Sequence, residues 1–238
     1  MMRTLIWLVV VALCLPALPG SAQAQSSSWS DPLNLSRSGA ANQPRLVAAA
    51  SGALQAFWWD RFDGLTTTYY NGTSWTPGVS APLDLDSGEM PEFLLDTRGR
   101  VHAFWQKQVQ GENQLWHASM PLGDTTWAVN ELLDQSTLGF EILPLDDGAV
   151  VVAYLRISQS WGADAGLYLL RLEPGMFVWN APLGLDTSAY YRLESAETAW
   201  LHLAADGETL TVTWREPRSG DYLARSSNNG GWTWGSRE

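Results

Sequence analysis

Four short runs rich in aliphatic, β-branched and aromatic residues punctuate the chain, each placed at or just after a glycine. They are Ala53–Trp58, Arg100–Trp105, Ala149–Tyr154 and Glu208–Trp214, following Gly52, Gly99, Gly148 and Gly207. Their composition predicts buried β-strands. A second strand precedes each glycine, at Pro44–Ala50, Pro91–Asp96, Phe140–Asp146 and Trp200–Ala205. Short Gly turns such as Asp147-Gly148 and Asp206-Gly207 then make each pair a β-hairpin. A third strand follows at Thr66–Tyr70, Gln114–Ser119, Gly166–Leu172 and Asp221–Arg225. No long run carries a helical period.

The unit recurs as a whole. Trp29, Trp75, Trp127, Trp179 and Trp234 are spaced by 46, 52, 52 and 55 residues, and Pro-Leu-x-Leu runs recur at Pro32, Pro82 and Pro182. A Trp-bearing fourth strand completes each repeat. Four antiparallel strands per fifty-residue unit predict an all-β fold, a β-propeller. Its blades are expected near 40–86, 87–135, 136–187 and 196–238, with an outer strand at 28–36. That leaves one more outer strand than a closed four-blade ring needs, so the expectation is four blades of a larger, six-bladed propeller or a compact ring. An open end would expose a strand edge and favour self-association. Each repeat Trp is expected to lie between neighbouring blades.

The first 24 residues fall outside this pattern. Arg3, the apolar stretch Leu5–Leu18 and the small residues of Ala22-Gln23-Ala24 predict an export signal cleaved after Ala24. The apolar stretch is short for a membrane span. The expected product, 25–238, is secreted or periplasmic. Cleavage removes Cys14, the only cysteine, and shifts the formal charge from −11 to −12 with the loss of Arg3. Such a balance argues against nucleic acid or an anionic membrane as partner. Lys107 is the only lysine.

The final repeat reads Ser227-Asn228-Asn229-Gly230-Gly231-Trp232-Thr233-Trp234. This resembles the Asp-box of the sialidase superfamily, Ser-x-Asp-x-Gly-x-Thr-Trp, with Asn229 in the Asp place. The resemblance implies BNR-type propeller blades and places the box on the face away from an active site. It also implies where sialidase chemistry would fall. Glu141, Asp147-Gly148 and Arg156 are similar to the family's Glu, Asp-Gly turn and Arg, and Arg45 lies near the first arginine's place. No Asp accompanies Tyr70, where the acid/base would stand; Asp60 and Asp63 come earlier. Tyr190 and Tyr191, beside Arg192, lack the context of the nucleophile. Glu141 and Asp60 are therefore the catalytic candidates, and the chain alone is expected not to hydrolyse sialosides.

Counting seven residues before each turn glycine and eight after pairs Arg45 with Asp60, Glu92 with Lys107, Glu141 with Arg156, and Trp200 with Arg215. Two readings follow. The charges are cross-strand ion pairs, or they ring the channel mouth, where Arg45, Glu92, Glu141, Arg156 and Arg215 would meet a ligand. Trp59, Trp116 and Trp161 stand outside the repeat and are the candidates for exposed stacking contacts. His102, His117 and His202 lack metal-ligand spacing, and no calcium loop or cofactor motif occurs, so neither metal nor cofactor is expected.

The sequence thus predicts an exported propeller that binds a glycan or an extracellular protein without hydrolysing it. The alternatives are the N-terminal portion of a sialidase-type glycoside hydrolase and a degenerate propeller scaffold.

Overall fold

A computed structural model describes residues 31–86, 89–157, 165–187, 200–216 and 218–238. The expected export signal, Trp29 with its outer strand to residue 30, Trp161, Tyr190, Tyr191 and Arg192 lie outside the described residues. The chain divides into Met1–Asn34 and Leu35–Glu238. In the first unit only residues 31–34 are described, and they carry no regular element. All strands belong to the second.

Those strands form four antiparallel sheets, each a meander in chain order. The first contains β1 (Ala41–Ala48), β2 (Leu54–Asp60), β3 (Gly64–Tyr70) and β4 (Val79–Ser80). The second contains β5 (Glu92–Leu95), β6 (Arg100–Val109), β7 (Glu112–Pro121) and β8 (Ala128–Asp134). The third contains β9 (Thr137–Pro144), β10 (Val150–Arg156), β11 (Gly166–Leu172) and β12 (Leu183–Asp186). The fourth contains β13 (Leu201–Asp206), β14 (Thr209–Arg215) and β15 (Tyr222–Ser227). Its outer edge is extended by the last residues, since Gly235 N donates to Ser226 O and Glu238 and Ala224 exchange backbone bonds. No helix among the described residues is long and apolar enough to cross a membrane.

Successive first strands lie side by side, β1 with β5, β5 with β9 and β9 with β13, which makes the sheets blades of a β-propeller. Each sheet's apolar residues pack on the next sheet. Phe57 stacks on Phe93 at 4.1 Å and 8° between the first two blades. Phe104 and Leu115 meet Tyr154, Tyr168 and Val152 between the second and third. Val151, Ala153 and Leu155 meet Leu203, Val212 and Trp214 between the third and fourth. Burial of these faces is the main stabilising contribution in a fold without a cross-link.

The repeat tryptophans act as staples to the preceding blade. Trp179 of the third blade is buried against Phe104 and His117 of the second. Trp127 of the second sits half-buried on Phe57 of the first, and its Nε1 donates to Ala81 O at 3.1 Å. Trp234 packs half-buried on the core shared by the last two blades. Trp75 departs from the expected interblade place: it is half-buried and tilts against Tyr70 of its own blade.

The turn ahead of Trp234 is held by its own polar residues. Ser227 Oγ accepts from Gly231 N, Asn229 Oδ1 accepts from Thr233 N, and Trp234 Nε1 donates to Gly231 O, each at 2.9 Å. Gly230 and Gly231 have φ of 65° and 91°, a left-handed path that side chains disfavour.

Candidate functional site

The first three hairpins correct the expected ion pairs. Ala48 pairs with Leu54, Leu95 with Val101 and Pro144 with Val150, so five residues, not two, separate the strands. The glycines at 52, 99 and 148 occupy the fourth loop position at positive φ. These longer loops slide the register by three residues. Arg45 lies opposite Phe57, Glu92 opposite Phe104 and Glu141 opposite Ala153, not Asp60, Lys107 and Arg156. Only the fourth hairpin, with the two-residue turn Gly207-Glu208, keeps the expected register; Arg215 N donates to Trp200 O at 3.0 Å.

The same slide gives Arg45, Glu92 and Glu141 equivalent places on three adjacent inner strands, each four residues ahead of its loop. They feel one another. Burial raises the Glu92 pKa, the neighbouring Glu141 carboxylate raises it further, and Arg45 opposes both. Among the described residues Arg45 donates only to the carbonyl of its neighbour Pro44, at 3.3 Å. Among the described residues neither glutamate is held by a side-chain hydrogen bond or a salt bridge.

The other candidate side chains are engaged elsewhere. Asp60 Oδ1 accepts from Phe62 N at 2.9 Å and Asp63 N at 3.4 Å, closing the turn into β3. Its pKa is lowered by the Ser38 hydrogen bond first and then by that from Phe62 N. Arg156 Nε donates to Asp134 Oδ2 at 2.8 Å, and its guanidinium lies 4.3 Å from the Tyr168 ring centroid. Arg215 Nε donates to Gly220 O at 3.3 Å. Lys107 pairs with Asp84. Trp59 is half-buried against the core between the first two blades, and Trp116 is half-buried against Trp105.

A buried relay was missed in the sequence. Trp179 Nε1 donates to His117 Nδ1 at 3.2 Å, His117 Nε2 lies 2.9 Å from His102 Nδ1, and His102 Nε2 lies 3.4 Å from Asp96 Oδ2. An indole can only donate, which fixes every proton along the chain. His117 carries its proton on Nε2 and gives it to His102, whose own proton on Nε2 faces Asp96. The signal was present: centring the β6–β7 hairpin on Gln110-Gly111, both at positive φ, sets His102 opposite Ser119 and His117 opposite Phe104. The histidines then become diagonal neighbours on one face. Asp96 also borders a cavity of about 510 Å³ among the first three hairpin loops, with Ser51, Thr97 and Asp146. Among the described residues no group of three or more potential metal ligands occurs.

No protein-family model and no curated protein matches the sequence. Similar solved structures include a xylan β-1,4-xylosidase from Bacillus halodurans, 13% identical over 83% of this chain with a TM-score of 0.47. A sialidase from Streptococcus pneumoniae is 11% identical over 83% with a TM-score of 0.46. A six-bladed β-propeller lectin from the fungus Aleuria aurantia is 13% identical over 82% with a TM-score of 0.47. The chain spans 41%, 51% and 61% of these three proteins, respectively.

Proposed function

We propose that this chain is an exported, sialidase-like β-propeller that binds a glycan at its inner strands without hydrolysing it. One observation carries the reading. Arg45, Glu92 and Glu141 share one stretch of the inner strands, and among the described residues the glutamates hold no side-chain hydrogen bond and Arg45 just one, to Pro44 O, whereas Asp60, Lys107 and Arg156 are each engaged by structural partners. Sugar hydroxyls both donate and accept, so carboxylates and a guanidinium side by side suit them. The Ser227–Trp234 turn supports the Asp-box resemblance, since Asn229 fills the Asp role toward Thr233 N. That Asp60, the carboxylate nearest the family's acid/base place, is tied into a turn supports binding over turnover.

A glycan array probed with the purified protein tests this. Glycan binding that is lost in an E92Q/E141Q double variant with unchanged melting supports the reading, and an array without hits contradicts it. A second reading, a glycoside hydrolase, draws on the raised pKa of Glu92 beside Glu141. A carboxyl of raised pKa beside a second carboxyl group is the kind of pairing glycosidases use. Release of reducing sugar from a bound glycan, abolished by E92Q, would establish it over binding alone.

A further inference from the structure

Away from the inner-strand charges, a groove of about 560 Å³ runs between the hairpin loops of the third and fourth blades and the turn at 229–232. Trp232 borders it and is 56% exposed, whereas Trp58, Trp105, Trp179 and Trp214 are buried in the packing. The ring is not loose. The Arg171 guanidinium lies 5.1 Å from its centroid, and Arg171 is itself buried. Arg171 is fixed by Asp147 and Glu173 and by the carbonyl of Gly230, two residues before Trp232. Gly230 permits this, since a Cβ there would crowd the guanidinium at 3.3 Å. One indole face thus rests on a held cation while more than half of the side chain faces solvent.

The rest of the lining sets the chemistry. Asp146, Asp147 and Glu208 border the groove together with Asn229, and no cation lines it among the described residues. Asp147 stays ionised: burial raises its pKa, but the Ala149 N–H and Arg171 outweigh it and hold the carboxyl below its ordinary value. Asp146 and Glu208 have no side-chain partner among the described residues. An aromatic platform rimmed by carboxylate acceptors matches a pyranose, whose C–H face stacks while its hydroxyls donate. A ligand bearing its own carboxylate would meet Asp146 and Glu208, which no cation pairs among the described residues, while the nearby Arg171 is already held by Asp147 and Glu173.

We infer that this interblade groove is a second carbohydrate site, separate from Arg45, Glu92 and Glu141, which stacks a neutral or amino sugar on Trp232 and rejects acidic sugars. The test follows the indole N–H resonance of Trp232 in the ¹⁵N-labelled full chain, assigned by its absence in W232F. Methyl glycosides of glucose, galactose and glucosamine serve as probes, with methyl sialoside as the acidic comparison, each up to tens of millimolar. The expected result is a saturable shift with at least one neutral or amino glycoside and none with the sialoside. It should persist in E92Q/E141Q, and W232A should weaken binding of that glycoside about tenfold. No shift with any of the three, or an equal shift with the sialoside, overturns the inference. A shift that disappears in E92Q/E141Q also overturns it, because binding would then belong to the inner strands. Loss of glycan-array binding in E92Q/E141Q with an intact Trp232 response would leave both sites standing.

Discussion

Trp179 Nε1 donates to His117 Nδ1 across 3.2 Å, joining the third blade to the second inside a buried apolar cluster. The bond makes the repeat tryptophan a polar as well as an apolar staple. It also sets the tautomers of both histidines down to Asp96.

Replacing Trp179 with Ala removes the ring that packs edge-on against both Phe104 and His117, and should cost about 3–5 kcal/mol by urea denaturation. Trp179→Phe keeps part of the volume but leaves His117 Nδ1 unpaired. It should cost less than Ala and still measurably more than zero. A neutral result for Ala would deny the stapling role.

The relay also predicts an acid-sensitive fold. Burial first, then the electrostatic influence of His102 and Arg100, depress the His117 pKa well below its ordinary 6.5. The groups facing it are His102, Arg100, Asp96 through His102, and the Trp179 indole. Unfolded chain takes up a proton near pH 6.5 that the folded protein resists. Stability from this site is therefore complete above pH 6.5 and falls as the pH drops below it, by at most about 1.4 kcal/mol per unit. Asp60, Asp96 and Asp147, held below 3.8, add a separate loss only at more acidic pH. Denaturation curves at pH 8, 6 and 5 should show the first slope in the wild type and a flattened one in H117Q.

Arg156 is predicted to matter for folding and not for ligand. Its partner Asp134 has a side chain only 4% exposed, so R156A strands a buried carboxylate and should cost about 3–5 kcal/mol. R156K should recover part of that, lacking the planar contact with Tyr168. An R156A protein of unchanged stability but lost glycan binding would return Arg156 to the binding site.

Asn229 should tolerate Asp and not Ala. Its Oδ1 receives Thr233 N and its Nδ2 donates to Thr233 Oγ1 at 2.8 Å. In N229D the backbone bond survives and the threonine hydroxyl can donate in return, whereas N229A loses both, at about 1–2 kcal/mol by thermal or chemical melt.

Much of the fold was legible because blades repeat their apolar spacing: Leu54–Trp58 and Val150–Tyr154 look buried and are, or nearly so. The register was not. Gly52, Gly99 and Gly148 look like residues of two-residue turns, yet they sit fourth in five-residue loops, and nothing in their type distinguishes the two settings. The three-residue slide therefore misassigned every ion pair in those blades. It still left Arg45, Glu92 and Glu141 equivalent, because all three loops slide alike. The exposed indole of Trp232 was hidden for another reason. It neighbours Trp234 in a motif whose tryptophan packs, and only the Arg171–Gly230 contact separates the two roles.

Calorimetric titration of the best-bound array glycan into wild type, R45A, E92Q/E141Q and R156A tests the central claim most directly. The account predicts that R45A and E92Q/E141Q weaken binding at least about tenfold, 1.4 kcal/mol or more, at unchanged stability. Folded R156A should bind as the wild type does. Undiminished affinity in both R45A and E92Q/E141Q would contradict it.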